Sequence, residues 1–101
     1  MQVWLKIVTF APMNKREKLV KRFRNLPRDF TFEEVETLFQ GYGFELVNKG
    51  ATSGSRVKFY DPKEQKAYIM HKPHPSNIIK AYIMRDIFDF LKDNDYLEKE
   101  V

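Results

Sequence analysis

Residues 44–70 hold three short strand-like runs whose connections are too brief to contain a helix, and that spacing leaves few folds open. Phe44-Glu45-Leu46-Val47-Asn48 alternates apolar and polar positions, and so does Ser55-Arg56-Val57-Lys58-Phe59. Between them lies Gly50-Ala51-Thr52-Ser53-Gly54, a polar loop bracketed by glycines. Asp61-Pro62 to Gln65 makes a turn, and Lys66-Ala67-Tyr68-Ile69-Met70 is the third run. Parallel neighbours need a crossover of about a dozen residues or more, so strands joined this closely pair as an antiparallel meander.

Helical patterns flank the meander. From Asn14 to about Asn25, Leu19, Val20 and Phe23, with Leu26 just beyond, recur at helical spacing among Lys and Arg, and Pro27 ends the run. Thr31-Phe32-Glu33-Glu34 is a capping box, with Phe30 and Val35 at the two positions of a hydrophobic staple. That helix should run to Gln40, bury Val35, Leu38 and Phe39, and be closed by Gly41. After the meander, Ser76 or Asn77 should cap a helix running to about Asp93. Its stripe is Ile79, Ile83, Ile87, Phe90 and Leu91, flanked by Ile78, Tyr82 and Phe88. The order helix, helix, three strands, helix predicts an α+β sandwich with the helices on one face of a small antiparallel sheet. A 101-residue chain that is 43% hydrophobic and 15% aromatic makes one such domain. Residues 1–13 read as an N-terminal extension, where Val3, Leu5 and Ile7 fit either an added edge strand or a loose or partner-bound arm.

Charge is distributed in blocks, although the formal net charge is only +4. Residues 31–47 carry four glutamates and no base, and residues 86–101 are again acidic. Between them, Lys49, Arg56, Lys58, Lys63, Lys66, Lys72, Lys80 and Arg85 face only Asp61 and Glu64, which points to an anionic partner such as a phosphate backbone. The chain has no cysteine, which excludes disulfides, thiol nucleophiles and thiolate zinc sites and fits a reducing cytosol. Its apolar runs fall short of a membrane span, and the first ten residues lack the charged leader and small-residue cleavage site of a signal peptide.

Both histidines lie in His71-Lys72-Pro73-His74-Pro75, between the third strand and the last helix. Imidazole is the side chain whose ordinary pKa lies near neutrality, so acid–base chemistry is expected there. In an antiparallel meander the end of the first strand, the start of the second and the end of the third share one edge of the sheet. Gly50, Ser53, Gly54, Ser55, Arg56, His71 and His74 should therefore cluster, with the amide-rich start of the last helix, including Asn77 and Lys80, beside them. Small residues admit a phosphate, Arg56 grips it bidentately, and Lys49, Lys58 and Lys72 add point charges. The same residues also fit a plain hairpin loop and a solvated basic face. His74 between two prolines can serve as a rigid turn residue, and His71 can satisfy a carbonyl. Two histidines without further ligands do not make a metal site, and the loop lacks the spacing of a nucleotide P-loop, so no cofactor or small-molecule ligand is expected.

The ordered series Gly43-Phe44-Glu45-Leu46-Val47, Lys49-Gly50, Gly54-Ser55, His71-Lys72-Pro73-His74-Pro75 and a closing amphipathic helix resembles the HicA-type toxins of bacterial toxin–antitoxin systems. The resemblance covers residues 31–92 and makes residues 14–26 an additional N-terminal helix. It implies a double-stranded-RNA-binding-domain-like α-β-β-β-α fold, an mRNA interferase activity in the cytoplasm, RNA as substrate and a HicB-type antitoxin as partner. One position departs from the family pattern: a histidine usually follows the Gly-Ser pair, and here Arg56 does. Three readings follow. His71 or His74 takes over the acid–base work in metal-independent cleavage; Arg56 and lysines cleave weakly alone; or the chain binds RNA or protein without cleaving.

Overall fold

The computed structural model describes residues 14–47 and 56–97. Its elements are α1 (Lys15–Arg24), α2 (Phe32–Gly41), β1 (Glu45–Val47), β2 (Arg56–Asp61), β3 (Lys66–His71) and α3 (Ala81–Asp93). This is the expected α+β order, an α-β-β-β-α unit with one helix in front. The N-terminal extension of residues 1–13 and the loop containing Lys49, Gly50, Ser53, Gly54 and Ser55 lie outside the described residues.

The sheet is an antiparallel meander with β2 in the centre. Strand alternation gives it two unlike faces. Val57, Phe59 and Asp61 of β2 are buried together with Tyr68 and Met70 of β3. Glu45, Arg56, Ile69 and His71 occupy the other face and are exposed, with Lys58 and Tyr60 half-buried among them.

Capping chemistry places the first two helices. The Asn14 side chain accepts from the Glu17 amide at 2.7 Å while Glu17 reaches back to the Asn14 amide, and Thr31 and Glu34 form the same reciprocal pair at 3.1 and 2.9 Å. Gly41 does not close α2, contrary to the sequence reading, but forms its last residue. A Cβ there would collide with the guanidinium of Arg16, which donates to the Leu38 carbonyl at 3.1 Å and lies over the Tyr42 ring. The left-handed turn falls at Gly43 (φ 100°), where the Gly43 and Phe44 amides bond back to the Gln40 and Phe39 carbonyls.

Phe39 of α2 organises the core. Its ring stacks at 4.5 Å on Phe59 and at 5.6 Å on Tyr68, which are themselves cross-strand partners, and Phe44 packs edge-on against it. On α3, Phe90 faces the sheet through Tyr68, whereas Phe88, two residues and about 200° away around the helix, meets Phe23 of α1. The helical layer is therefore sandwiched between the sheet and α1. Among the described residues no helix is long and apolar enough to cross a membrane.

Asp61, buried at 4% exposure, closes the far end of the sheet by accepting the Tyr96 hydroxyl at 2.5 Å and the Lys63 amide at 3.0 Å. Burial, then the hydrogen bond and the charge of Asp61, push the Tyr96 phenol well above its ordinary pKa. A phenol held protonated in the folded state contributes stability that is intact below its unfolded pKa of about 10 and is lost as pH rises beyond it. Tyr96→Phe should cost about 1–3 kcal/mol in urea unfolding at neutral pH, and the variant should lose less stability than the wild type between pH 9 and 11.

Candidate functional site

The open edge of β3 and the chain that follows it are fixed by a clip to α2. The Phe32 amide donates to the Asn77 carbonyl and the Ile79 amide to the Phe30 carbonyl, both at 2.8 Å, forming a bridge between Thr31 and Ile78. The Asn77 side chain donates to Glu33 Oε1 at 2.6 Å, and Ser76 Oγ accepts from the Ile78 amide. Residues 77–79 are thus committed to an extended pairing. This corrects the expected start of the last helix: neither Ser76 nor Asn77 caps it, Ile79 precedes it as a buried strut, and it begins at Ala81 after Lys80, without a side-chain cap.

Arg56, the first residue of β2, is the register partner of His71, the last residue of β3. Directly opposed residues in an antiparallel pair share a face with Cβ atoms about 5 Å apart, so guanidinium and imidazole rise side by side from the exposed face. Lys58 follows on that face, its Nζ 5.7 Å from the Tyr60 ring centre. Lys72 turns the other way and lies over the Phe32 ring at 5.4 Å, above the N-terminus of α2.

Between β3 and α3 runs a groove of about 350 Å³. Tyr68, His71, Lys72 and His74 line the strand side, and Lys80, Tyr82 and Asp86 the helix side. Both histidines therefore border one cavity, and His71 links it to the Arg56 face. Of the residues selected from the sequence, Arg56, Lys58, His71, Lys72, His74 and Lys80 gather around this edge. Asn77 stands close in the chain but is engaged with Glu33.

The groove also holds residues that the sequence reading did not select. Tyr68 donates to Asp86 Oδ2 at 2.7 Å across the strand–helix gap. Tyr82, read as a flank of the apolar stripe, is 69% exposed. The available signal was the four-residue spacing of Tyr82 and Asp86, which puts both on one helical face. Among the described residues no three His, Asp or Glu side chains gather as a metal-ligand set.

No curated protein and no solved structure matches the chain. A family model described as HicA toxin of bacterial toxin-antitoxin matches residues 32–95, from the first residue of α2 to just past the end of α3. That span holds the whole sheet, the groove and the 77–79 side of the clip, and leaves α1 as an addition in front; the chain belongs to the HicA toxin family, the toxin half of toxin–antitoxin pairs.

Proposed function

We propose that this toxin acts by cutting RNA without a metal ion, through attack of a ribose 2′-OH on the adjacent phosphate. The observation that carries the reading is the Arg56–His71 register pair, with His74 on the same groove. Arg56 stands where the resemblance leads one to expect a histidine, and the meander supplies an imidazole from the neighbouring strand at about one side chain's reach.

In this reading one histidine removes the 2′-OH proton, O2′ bonds to phosphorus, the P–O5′ bond breaks, and the other histidine protonates O5′. The products are a 2′,3′-cyclic phosphate and a 5′-hydroxyl. Arg56 holds the phosphoryl oxygens as negative charge grows on them, and Lys58, Lys72 and Lys80 neutralise flanking phosphates. Lys49 and the Gly50, Ser53, Gly54 and Ser55 backbone would approach the same phosphate from the β1–β2 connection, and Asn77 would contribute by holding the clip rather than by touching RNA. The nucleophile belongs to the RNA, so no cofactor is required. The antitoxin is read as a HicB-type protein that presents acidic side chains to this basic edge.

The test is incubation of the purified protein with a labelled RNA in excess chelator. Cleavage is expected, and a 2′-deoxy strand of the same sequence should escape it. Intact RNA, or equal cutting of the deoxy strand, would remove this reading.

A further inference from the structure

Acid–base cleavage leaves three groups of the groove unused: Tyr68, Tyr82 and Asp86. Tyr82 and Asp86 stand four residues apart on α3 and both line the cavity. Tyr82 is 69% exposed, and Ile69 on the strand wall is 50% exposed, so an aromatic face and an apolar side chain meet solvent at the same groove. Among the described residues Asp86 is the one carboxylate on a lining otherwise supplied with His71, Lys72, His74 and Lys80.

Asp86 is also held in place. Tyr68 Oη donates to Oδ2 at 2.7 Å, and burial, followed by the bond to Asp86 and its charge, keeps the phenol protonated as a donor. Among the described residues Oδ1 receives no side-chain donor. An ionised carboxylate only accepts hydrogen bonds, so whatever it reads must offer donors.

We propose that the groove between β3 and α3 is a nucleobase subsite selective for guanine, with Tyr82 as the stacking surface and Asp86 as the reader of the base edge. This rests on the RNA-cleaving reading and deepens it by naming what the groove selects. Guanine presents two adjacent donors, N1–H and N2–H, matched to a carboxylate. Adenine and cytosine pair one amino donor with a ring acceptor that would face the second oxygen, and uracil offers one N–H between two carbonyls. An exposed aromatic ring stacks any base, so Tyr82 supplies affinity and Asp86 supplies choice. A cavity of about 350 Å³ lies within the size range of small-ligand sites and suits one nucleoside. A base seated there places its ribose at the mouth, beside His71 and His74, so cleavage falls next to guanine.

The experiment uses fluorescent deoxy-hexamers that lack the 2′-OH: five thymidines with guanine, inosine or adenine at the third position, and all-thymidine as reference, at fixed low salt. The wild type should bind the guanine probe roughly tenfold or more tighter than the adenine and thymidine probes, and the inosine probe should lose most of that margin because it lacks the 2-amino donor. Asp86→Asn should bring the guanine-to-inosine ratio to about one. Tyr82→Ala should weaken every probe while keeping the ratio. Equal binding of all probes by the wild type, or a guanine preference that survives Asp86→Asn, would overturn the subsite. RNA cleavage with no relation to guanine would sink the subsite alone, whereas failure to bind any probe or cut any RNA would sink the RNA reading with it.

Discussion

Changing His71 and His74 together to alanine is expected to lower the rate of RNA cleavage by about 10²- to 10⁴-fold, the usual contribution of positioned acid–base groups. The two line one groove and His71 opposes Arg56 across the strands, so the pair removes both proton-transfer roles from one edge. Both are exposed, at the end of a strand and in a bend, and urea unfolding of the variant measured alongside shows whether the fold is kept. Single-turnover cleavage of a labelled RNA, with affinity for its 2′-deoxy counterpart measured alongside, separates chemistry from binding. A double variant that cleaves at the wild-type rate would rule out histidine acid–base catalysis and leave Arg56 and the lysines as the agents.

The second large effect lies in the core. Phe39 is fully buried and touches rings from every layer it faces: Phe59 and Tyr68 on the sheet, Phe44 just before β1, and Phe90 on α3 at 6.3 Å. Phe39→Ala removes the buried ring and leaves a cavity at the centre of these contacts, at a cost of about 3–5 kcal/mol. For a domain of this size that is a large share of a total stability of roughly 5–15 kcal/mol. Urea unfolding should show the midpoint falling steeply, and because Phe39 supports Tyr68, the Tyr68–Asp86 bond should loosen too. A shift below about 1 kcal/mol would show that the helical layer and the sheet are not joined through this ring.

Local signals in the sequence carried most of the fold. The Thr31–Glu34 capping box, the alternation that buries Val57 and Phe59, the third strand over 66–70 and the turn after Asp61 each follow from residues a few positions apart, and each appears as read. The errors have a common origin. Ser76 and Asn77 are good caps by local rules, but the backbone of residues 77–79 pairs with residues 30–32, more than forty positions away, and that pairing delays α3 to Ala81. Gly41 looked like a helix stop, yet its missing side chain accommodates Arg16 of α1 while Gly43 makes the turn.

The edge containing Arg56 and His71 was legible because meander topology fixes which strand ends are neighbours. The groove was less so. Asp86 belongs to an acidic stretch that reads as solvated helix surface, and only the Tyr68 hydroxyl arriving from β3 sets it apart. The stripe read from the sequence left Tyr82 on its flank, where it is exposed on the groove, and omitted Met84, which is buried with Ile87 and Leu91. Ring orientation and cross-element hydrogen bonds are long-range properties that no window of sequence contains.

The measurement that bears most directly on the central claim is the chemistry of the cut ends. RNA treated with the purified wild-type protein in excess chelator should yield fragments ending in 2′,3′-cyclic phosphate and beginning with 5′-hydroxyl, identified by mass spectrometry. Fragments carrying 3′-hydroxyl and 5′-phosphate ends, or RNA that stays whole, would contradict attack by the ribose 2′-OH at the Arg56–His71 edge.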